Sequence, residues 1–438
     1  MPSRRLLLLA PILGCARAPR PAPVLDPPSA CAVSQPTPAA DTVAIMLGEP
    51  VDPGHAPLPT NDAEALIFRQ LYETLVRVDC EGNTRPALAV AWRSDGAQWT
   101  FTLRRNAAFW DGSPLDATTV LEEWRTTNPA TPVAGVRSEG SLLTVFLSTP
   151  EPLAYFAAPA LRLIKRGPES TWPLGTGPWE PQPDASGSRL VAAAARSRNR
   201  ASVLSFDPRP GADPRDLLDA AAHLLVTRDR GAIAYAAGLP GWTDVPLAWD
   251  RVYLLLSPAS ASSDPAAVAP IRAELARDAL RGEGRPADST LAPWIAACTG
   301  ASHGGPPPGA SVGRQRVIYP REDAVARALA ERLVARAESD LSTLLGFPAV
   351  AVGTTVTAVG LGSEPFGLAL AQREDLAVVI PVFPYGAFDC GPLAALADGW
   401  GLVEPLVETR AHALVRAGAA RVVNDRDGLV IEPAGPRR

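Results

Sequence analysis

The sequence predicts an α/β fold, and three observations carry the prediction. Short β-type runs precede stretches with helical spacing: Thr42-Val43-Ala44-Ile45-Met46-Leu47 comes before an amphipathic segment at 61–78, and Val317-Ile318-Tyr319 before another at 323–337. Residues 99–104 alternate apolar and polar side chains, as a half-buried strand does. The length of 438 residues, with 47% hydrophobic and 6% aromatic content, suits a globular protein of two or three folding units around a large core.

The elements follow in order. Segment 61–78 places Ala65, Phe68, Leu71, Leu75 and Val78 on one face, with Asp62 as its expected cap. A turn at 79–83 leads to 87–92 and then to the strand at 99–104. Asp111-Gly112 is a tight-turn signal, and Asp116 or Thr118 is expected to cap a helix through Val120, Leu121 and Trp124. Residues 141–147 and 376–381 read as further strands.

The N-terminus reads differently. Arg4 and Arg5 precede a short apolar stretch at 6–13, well below the ~20 residues that span a bilayer. Ile12-Leu13-Gly14-Cys15 resembles a bacterial lipobox, in which the cysteine is diacylated and becomes the mature N-terminus; the other reading is a plain secretory signal with a chance cysteine. Residues 16–40 include Pro19, Pro21, Pro23, Pro27, Pro28, Pro36 and Pro38, too proline-dense for a helix or a sheet interior, and read as a tether. No later stretch is apolar and long enough to cross a membrane as a helix, so the body is expected to be soluble and outside the cytoplasmic membrane.

Several functions are disfavoured. Net charge is −5 with no basic block, which speaks against a nucleic-acid partner; Lys165 is the only lysine. His55, His223, His303 and His412 are scattered, with no metal-binding spacing. No Gly-x-Ser-x-Gly elbow occurs, and Gly360-Leu361-Gly362 lacks the third glycine of a dinucleotide fingerprint. The expectation is a protein that is not an enzyme and carries no cofactor or metal.

Motifs in the first half carry a resemblance. Leu71-Tyr72-Glu73-Thr74-Leu75-Val76, Pro86-Ala87-Leu88-Ala89, Trp92, the strand at 99–104, Phe109-Trp110-Asp111-Gly112-Ser113-Pro114-Leu115, Ala117 and Val120 occur in that order. Asp52-Pro53 lies upstream and Gly175-Thr176-Gly177-Pro178-Trp179 downstream. Over residues 42–180 the chain resembles the extracellular solute-binding proteins of family 5, the dipeptide, oligopeptide and nickel binders of ABC importers. The second half resembles the family less closely and looks shorter than its usual second lobe.

The resemblance implies a two-lobed type II periplasmic-binding-protein fold with an extra small subdomain in the first lobe. Lobe I would comprise 41–60, 161–255 and 411–438, its subdomain 61–160, and lobe II 256–410. A small solute, of peptide type, would be captured between the lobes and delivered to ABC permease subunits by a monomer that a lipidated Cys15 anchors to the membrane. The resemblance places Glu49 and Asp389 as acidic ligand contacts, with Trp242, Phe383 and Tyr385 as aromatic walls. Each has a bland alternative: an exposed turn carboxylate for Glu49, ordinary core for the aromatics. Besides Cys15, four cysteines allow three pairings. Cys31–Cys80 in the first lobe and Cys298–Cys390 in the second are the favoured pairs, four free thiols the alternative. A degenerate relative that serves as an anchored interaction or sensor module is the rival functional reading. Asp111-Gly112 and Gly175 to Trp179 are read as structural turns.

Overall fold

The computed structural model describes residues 31–33, 42–128, 131–167, 171–182, 190–194, 203–257, 265–281, 283–287, 314–335, 355–382, 400 and 402–432. Cys15, the rest of residues 1–30, Cys298, Phe383, Tyr385, Asp389 and Cys390 lie outside these.

One 11-stranded sheet runs through the molecule. At one end Thr42–Leu47 pairs in parallel with Val203–Pro208 and Leu224–Thr227. At the other, Arg314–Pro320 pairs in parallel with Thr357–Leu361 and Asp375–Val382. Two long antiparallel strands, Trp242–Ser257 and Leu402–Arg416, join the ends. Their register shifts between Pro246 and Trp249, between Trp249 and Arg251, and between Tyr253 and Leu254. Bulges bend and twist a strand pair, so the sheet changes direction where the chain passes from one lobe to the other.

The hydrophobic cores sort along the same line. A first-lobe core gathers Ile45, Leu47, Phe68, Tyr72, Trp179, Phe206 and Ala413. Second-lobe cores gather Tyr253, Leu255, Leu275, Val317, Leu329 and Val379 on one face of the sheet strands, and Val252, Leu254, Ile318 and Val378 on the other. The alternation of 252–256 between these two clusters is the period-two signature of a strand covered on both faces.

A separate four-stranded antiparallel sheet, Ala89–Asp95, Gln98–Leu103, Leu142–Leu147 and Val133–Glu139, builds the small subdomain. Its core includes Leu75, Phe101, Trp124, Val145 and Phe156. The cores draw the boundary differently from the expectation of 61–160. The helix Asp62–Leu71 buries Leu66, Ile67, Phe68 and Leu71 in the first-lobe core, and the subdomain core begins at Leu75. That helix is shorter than 61–78: Tyr72 leaves the helical region, and Val76–Val78 is a strand. Asn61, not Asp62, caps it by accepting the Glu64 N–H at 2.9 Å. Asp116 caps the helix Ala117–Thr127.

The recognisable motifs pack as turns. Asp111 accepts Ser113 N–H at 2.9 Å, and Gly112 has φ +83°, a conformation that favours glycine. A Cβ on Gly177 would lie 2.5 Å from the carbonyl oxygens of both Gln70 and Leu71. The loop therefore seats on the C-terminal end of the helix only because these positions lack side chains. Trp110 donates to the Gly177 carbonyl at 3.0 Å, and Glu73 pairs bidentately with Arg104 at 2.8 Å, so the motif residues hold one another.

Cys31 and Cys80 form a disulfide. It ties the short strand Ala32–Val33, paired with Arg421–Asp425, to the edge of the body. The bond closes a stretch of 49 residues. Chain-entropy arguments give about 4 kcal/mol for a loop of that size, with measured effects of about 2–4 kcal/mol typical. Cys80→Ala is expected to lose about 2–4 kcal/mol in urea unfolding under oxidising conditions; a midpoint unchanged from wild type would show that the bond does not constrain the unfolded chain.

Candidate functional site between the lobes

In open α/β sheets the crevice outside the carboxyl ends of the parallel strands is the usual place for a ligand. Here, three strand ends carry charge. Thr42–Leu47 leads to Glu49, Leu224–Thr227 leads to Arg228, and Arg314–Pro320 leads to Asp323. The crossing strand Trp242–Ser257 supplies Asp250, Arg251 and Tyr253 where its register shifts.

Asp62, in the first turn of its helix, is the centre of the group. Arg228 binds it bidentately, Nε to Oδ2 and Nη2 to Oδ1, both at 2.8 Å. Arg251 Nη2 donates to the same Oδ1 at 2.9 Å. All three side chains are less than one-tenth exposed. Arg228 also donates to Asp250 at 2.8 Å and to the Thr409 hydroxyl, on the second crossing strand, at 3.1 Å. Arg251 extends to the second lobe, its Nη1 lying 3.8 Å from Asp323, and the Tyr253 hydroxyl is 3.0 Å from that carboxylate. Asp323 in turn accepts the Ala326 N–H at the start of the next helix.

The charges set one another's protonation. Burial opposes ionisation of Asp62, but Arg228 and Arg251 outweigh it and hold its pKa at about 2. The helix N-terminus favours the same anion. Glu49 is pushed the other way, from 4.5 to about 7, first by burial and then by the Asp62 charge beside it. Its Oε2 accepts the N–H groups of Asp62 and Ala63 at 2.7 and 3.2 Å. Burial also raises Asp250, and it holds the Tyr253 phenol well above its usual range with help from Asp323, so that Tyr253 stays a donor.

At the outer side of the bend, Trp249 carries the guanidinium groups of Arg285 and Arg410 over its ring at 4.6 and 4.9 Å. Arg285 pairs with Glu408, and Arg272 with Glu404, so the second crossing strand is held by charges as well as by apolar contacts. Among the described residues no group of His, Cys, Asp and Glu is arranged to hold a metal ion. Among them, too, no helix is long and apolar enough to cross a membrane.

The structure brings one expected site residue, Glu49, into this cluster. It places Trp242 elsewhere: the indole packs against the core of Met46, Leu217, Leu225 and Ala236 behind the sheet, as ordinary core. Phe383, Tyr385 and Asp389 fall outside the described residues. Asp62, Arg228, Asp250, Arg251 and Asp323 were not expected from the sequence. The signal that could have found Arg251 is a charged pair, Asp250-Arg251, set directly before the apolar run 252–256.

No family model matches the chain. Its likeness to known proteins is otherwise of two kinds. A segment of 63 residues is 40% identical to the periplasmic murein peptide-binding protein MppA of Escherichia coli, covering 14% of this chain and 12% of that protein. The nickel-binding periplasmic protein of Escherichia coli is 42% identical over 57 residues, 13% of this chain and 11% of its own length. The periplasmic oligopeptide-binding protein OppA of Salmonella typhimurium is 34% identical over 86 residues, 19% of this chain and 16% of that one. The matches thus span less than a fifth of each of these relatives.

Whole-fold likeness extends much further. The structure of NikA from Staphylococcus aureus in complex with Ni(L-His)2 superposes with a TM-score of 0.61 at 13% identity, over 90% of this chain and 100% of that one. Escherichia coli MppA gives 0.60 at 14% identity, over 89% and 98%. Haemophilus influenzae OppA in complex with RPPGFSPFR gives 0.59 at 13%, over 90% and 100%. The fold is that of the two-lobed periplasmic binding proteins, and the resemblance to the family 5 solute-binding proteins holds in local sequence and in architecture.

Glu49 yields a signed prediction. A carboxyl whose pKa is raised on folding contributes stability while protonated and loses it as the pH rises from 4.5 towards about 7. Glu49→Gln keeps an oxygen for the helix N–H groups and cannot ionise. It is expected to match wild type near pH 4 and to exceed it near pH 8 by up to on the order of 3 kcal/mol in urea unfolding. A wild type as stable as the variant near pH 8 would contradict a partly buried, proton-holding Glu49.

Proposed function

We propose that this chain is the substrate-binding component of an ABC importer, capturing a small solute between its two lobes and handing it to membrane permease subunits without bond chemistry. The observation that carries this reading is the convergence of strand ends from both lobes on one ionic cluster beside two bent crossing strands. That arrangement places polar anchors where closure would bury a solute. The relatives and structural neighbours are binding proteins, several of them for peptides or nickel complexes by name. A peptide-like solute with a free amine fits best, since the carboxylates of Asp62, Asp250 and Asp323 outnumber Arg228 and Arg251 in the cluster. Asp389 remains the proposed partner of that amine, with Phe383 and Tyr385 as apolar walls. The N-terminal segment to Cys15 is proposed as a lipoprotein signal and residues 16–40 as the tether that keeps the body at the membrane surface outside the cytoplasm.

A solute specific for the folded state must stabilise it, by about 2.7 kcal/mol at a hundredfold excess over Kd. Native mass spectrometry of the protein as purified, followed by thermal-shift titration of any solute found and of a di- to pentapeptide set, is expected to reveal one that raises Tm. Asp389→Ala is then expected to weaken a free-amine ligand by about 2 kcal/mol, some thirtyfold, in calorimetry. No stabilisation by any solute would overturn the transport reading, and unchanged affinity in the variant would remove Asp389 from the site.

A further inference from the structure

A second polar contact joins the lobes on the other side of the crossing strands, and it contains a histidine. His412 lies on Leu402–Arg416 with its side chain almost wholly buried. Its Nδ1 is 2.8 Å from Asp244 Oδ1, on the first-lobe end of Trp242–Ser257. Its Nε2 is 3.2 Å from Glu283 Oε2 but is not aligned with it as a hydrogen bond, and it has no other hydrogen-bond partner among the described residues. Glu283 belongs to the second lobe: it precedes Gly284–Pro286, which pairs with 407–409, and follows Leu280 of the second-lobe core. One imidazole therefore stands between a carboxylate from each lobe.

A neutral imidazole has one N–H. If Nδ1 donates to Asp244, Nε2 turns a lone pair towards a carboxylate 3.2 Å away, which repels it. An imidazolium donates from both nitrogens and attracts both carboxylates. The sign of the contact between the lobes at this point is set by a single proton. The other charged group here is Arg230 of the first-lobe helix Arg230–Ala237. It donates to the Arg281 carbonyl at 2.7 Å and lies 3.8 Å from Glu283, a contact between the lobes that does not change with pH. The strand neighbour Thr227, opposite His412, brings no charge.

We propose that His412 is a proton-operated clamp between the lobes, holding them together when protonated and releasing Glu283 when neutral. The clamp rests on the two-lobed fold and not on the identity of any ligand, so it is tested in ligand-free protein. Solution X-ray scattering is measured near pH 5.5 and near pH 8, on either side of neutrality. Wild type is expected to show a larger radius of gyration at the higher pH. His412→Asn, neutral at both values, and Glu283→Gln, which keeps the Asp244 contact but removes the second-lobe charge, are each expected to abolish the change. Unfolding in urea checks that both variants are folded. Glu49 titrates between these values, and Glu49→Gln is expected to keep the wild-type response. A wild-type radius that does not move with pH, or a response that survives in folded His412→Asn, would overturn the clamp, whatever the solute trials show.

Discussion

The carboxylate of Asp62 is shared by two arginines, all three side chains less than one-tenth exposed. Burying three such charges singly would be prohibitive; together they compensate one another, and the bidentate geometry of Arg228 fixes their positions. The rest of the arrangement between the lobes follows from this contact. Arg228 reaches Asp250 and Thr409 on the two crossing strands, and Arg251 reaches Asp323 in the second lobe. The sheet can therefore bend at its bulges while the polar groups at the bend stay paired. The same negative charge, with burial, holds a proton on Glu49.

The fold supplies reasons for these positions. Three parallel strands deliver the residues beyond their carboxyl ends, Glu49, Arg228 and Asp323, to the same place by topology. The crossing strands are apolar where they traverse the second-lobe core, as at Val252, Leu254 and Leu256, and polar where they bend. Two polar contacts flank that bend, one around Asp62 and one around His412.

Much of the first half was legible because its motifs are local. Asp111-Gly112 announces a turn through its own Asp and Gly chemistry, and Gly175 to Trp179 through the absence of side chains that would strike Gln70 and Leu71. The strand and helix at 317–335 follow from periodicity alone. The site was much less legible. Asp62 meets Arg228 across 166 positions and Arg251 across 189, and no spacing rule spans such gaps. Asn61 and Asp62 are both good caps by composition; the one whose side chain turns back to the helix is decided by the arginines that take the other. Trp242 packs against the small helices; one strand end can face either side of the sheet, and period alone does not say which.

The central claim is that the Asp62 carboxylate compensates two buried arginines and so organises the junction of the lobes. Urea unfolding of Asp62→Asn, which keeps the shape and removes the charge, tests it most directly. Breaking a buried ionic group from one side leaves uncompensated charge, and the expected loss is about 3–5 kcal/mol. A variant within about 0.5 kcal/mol of wild type, the range of an ordinary surface substitution, would contradict the account.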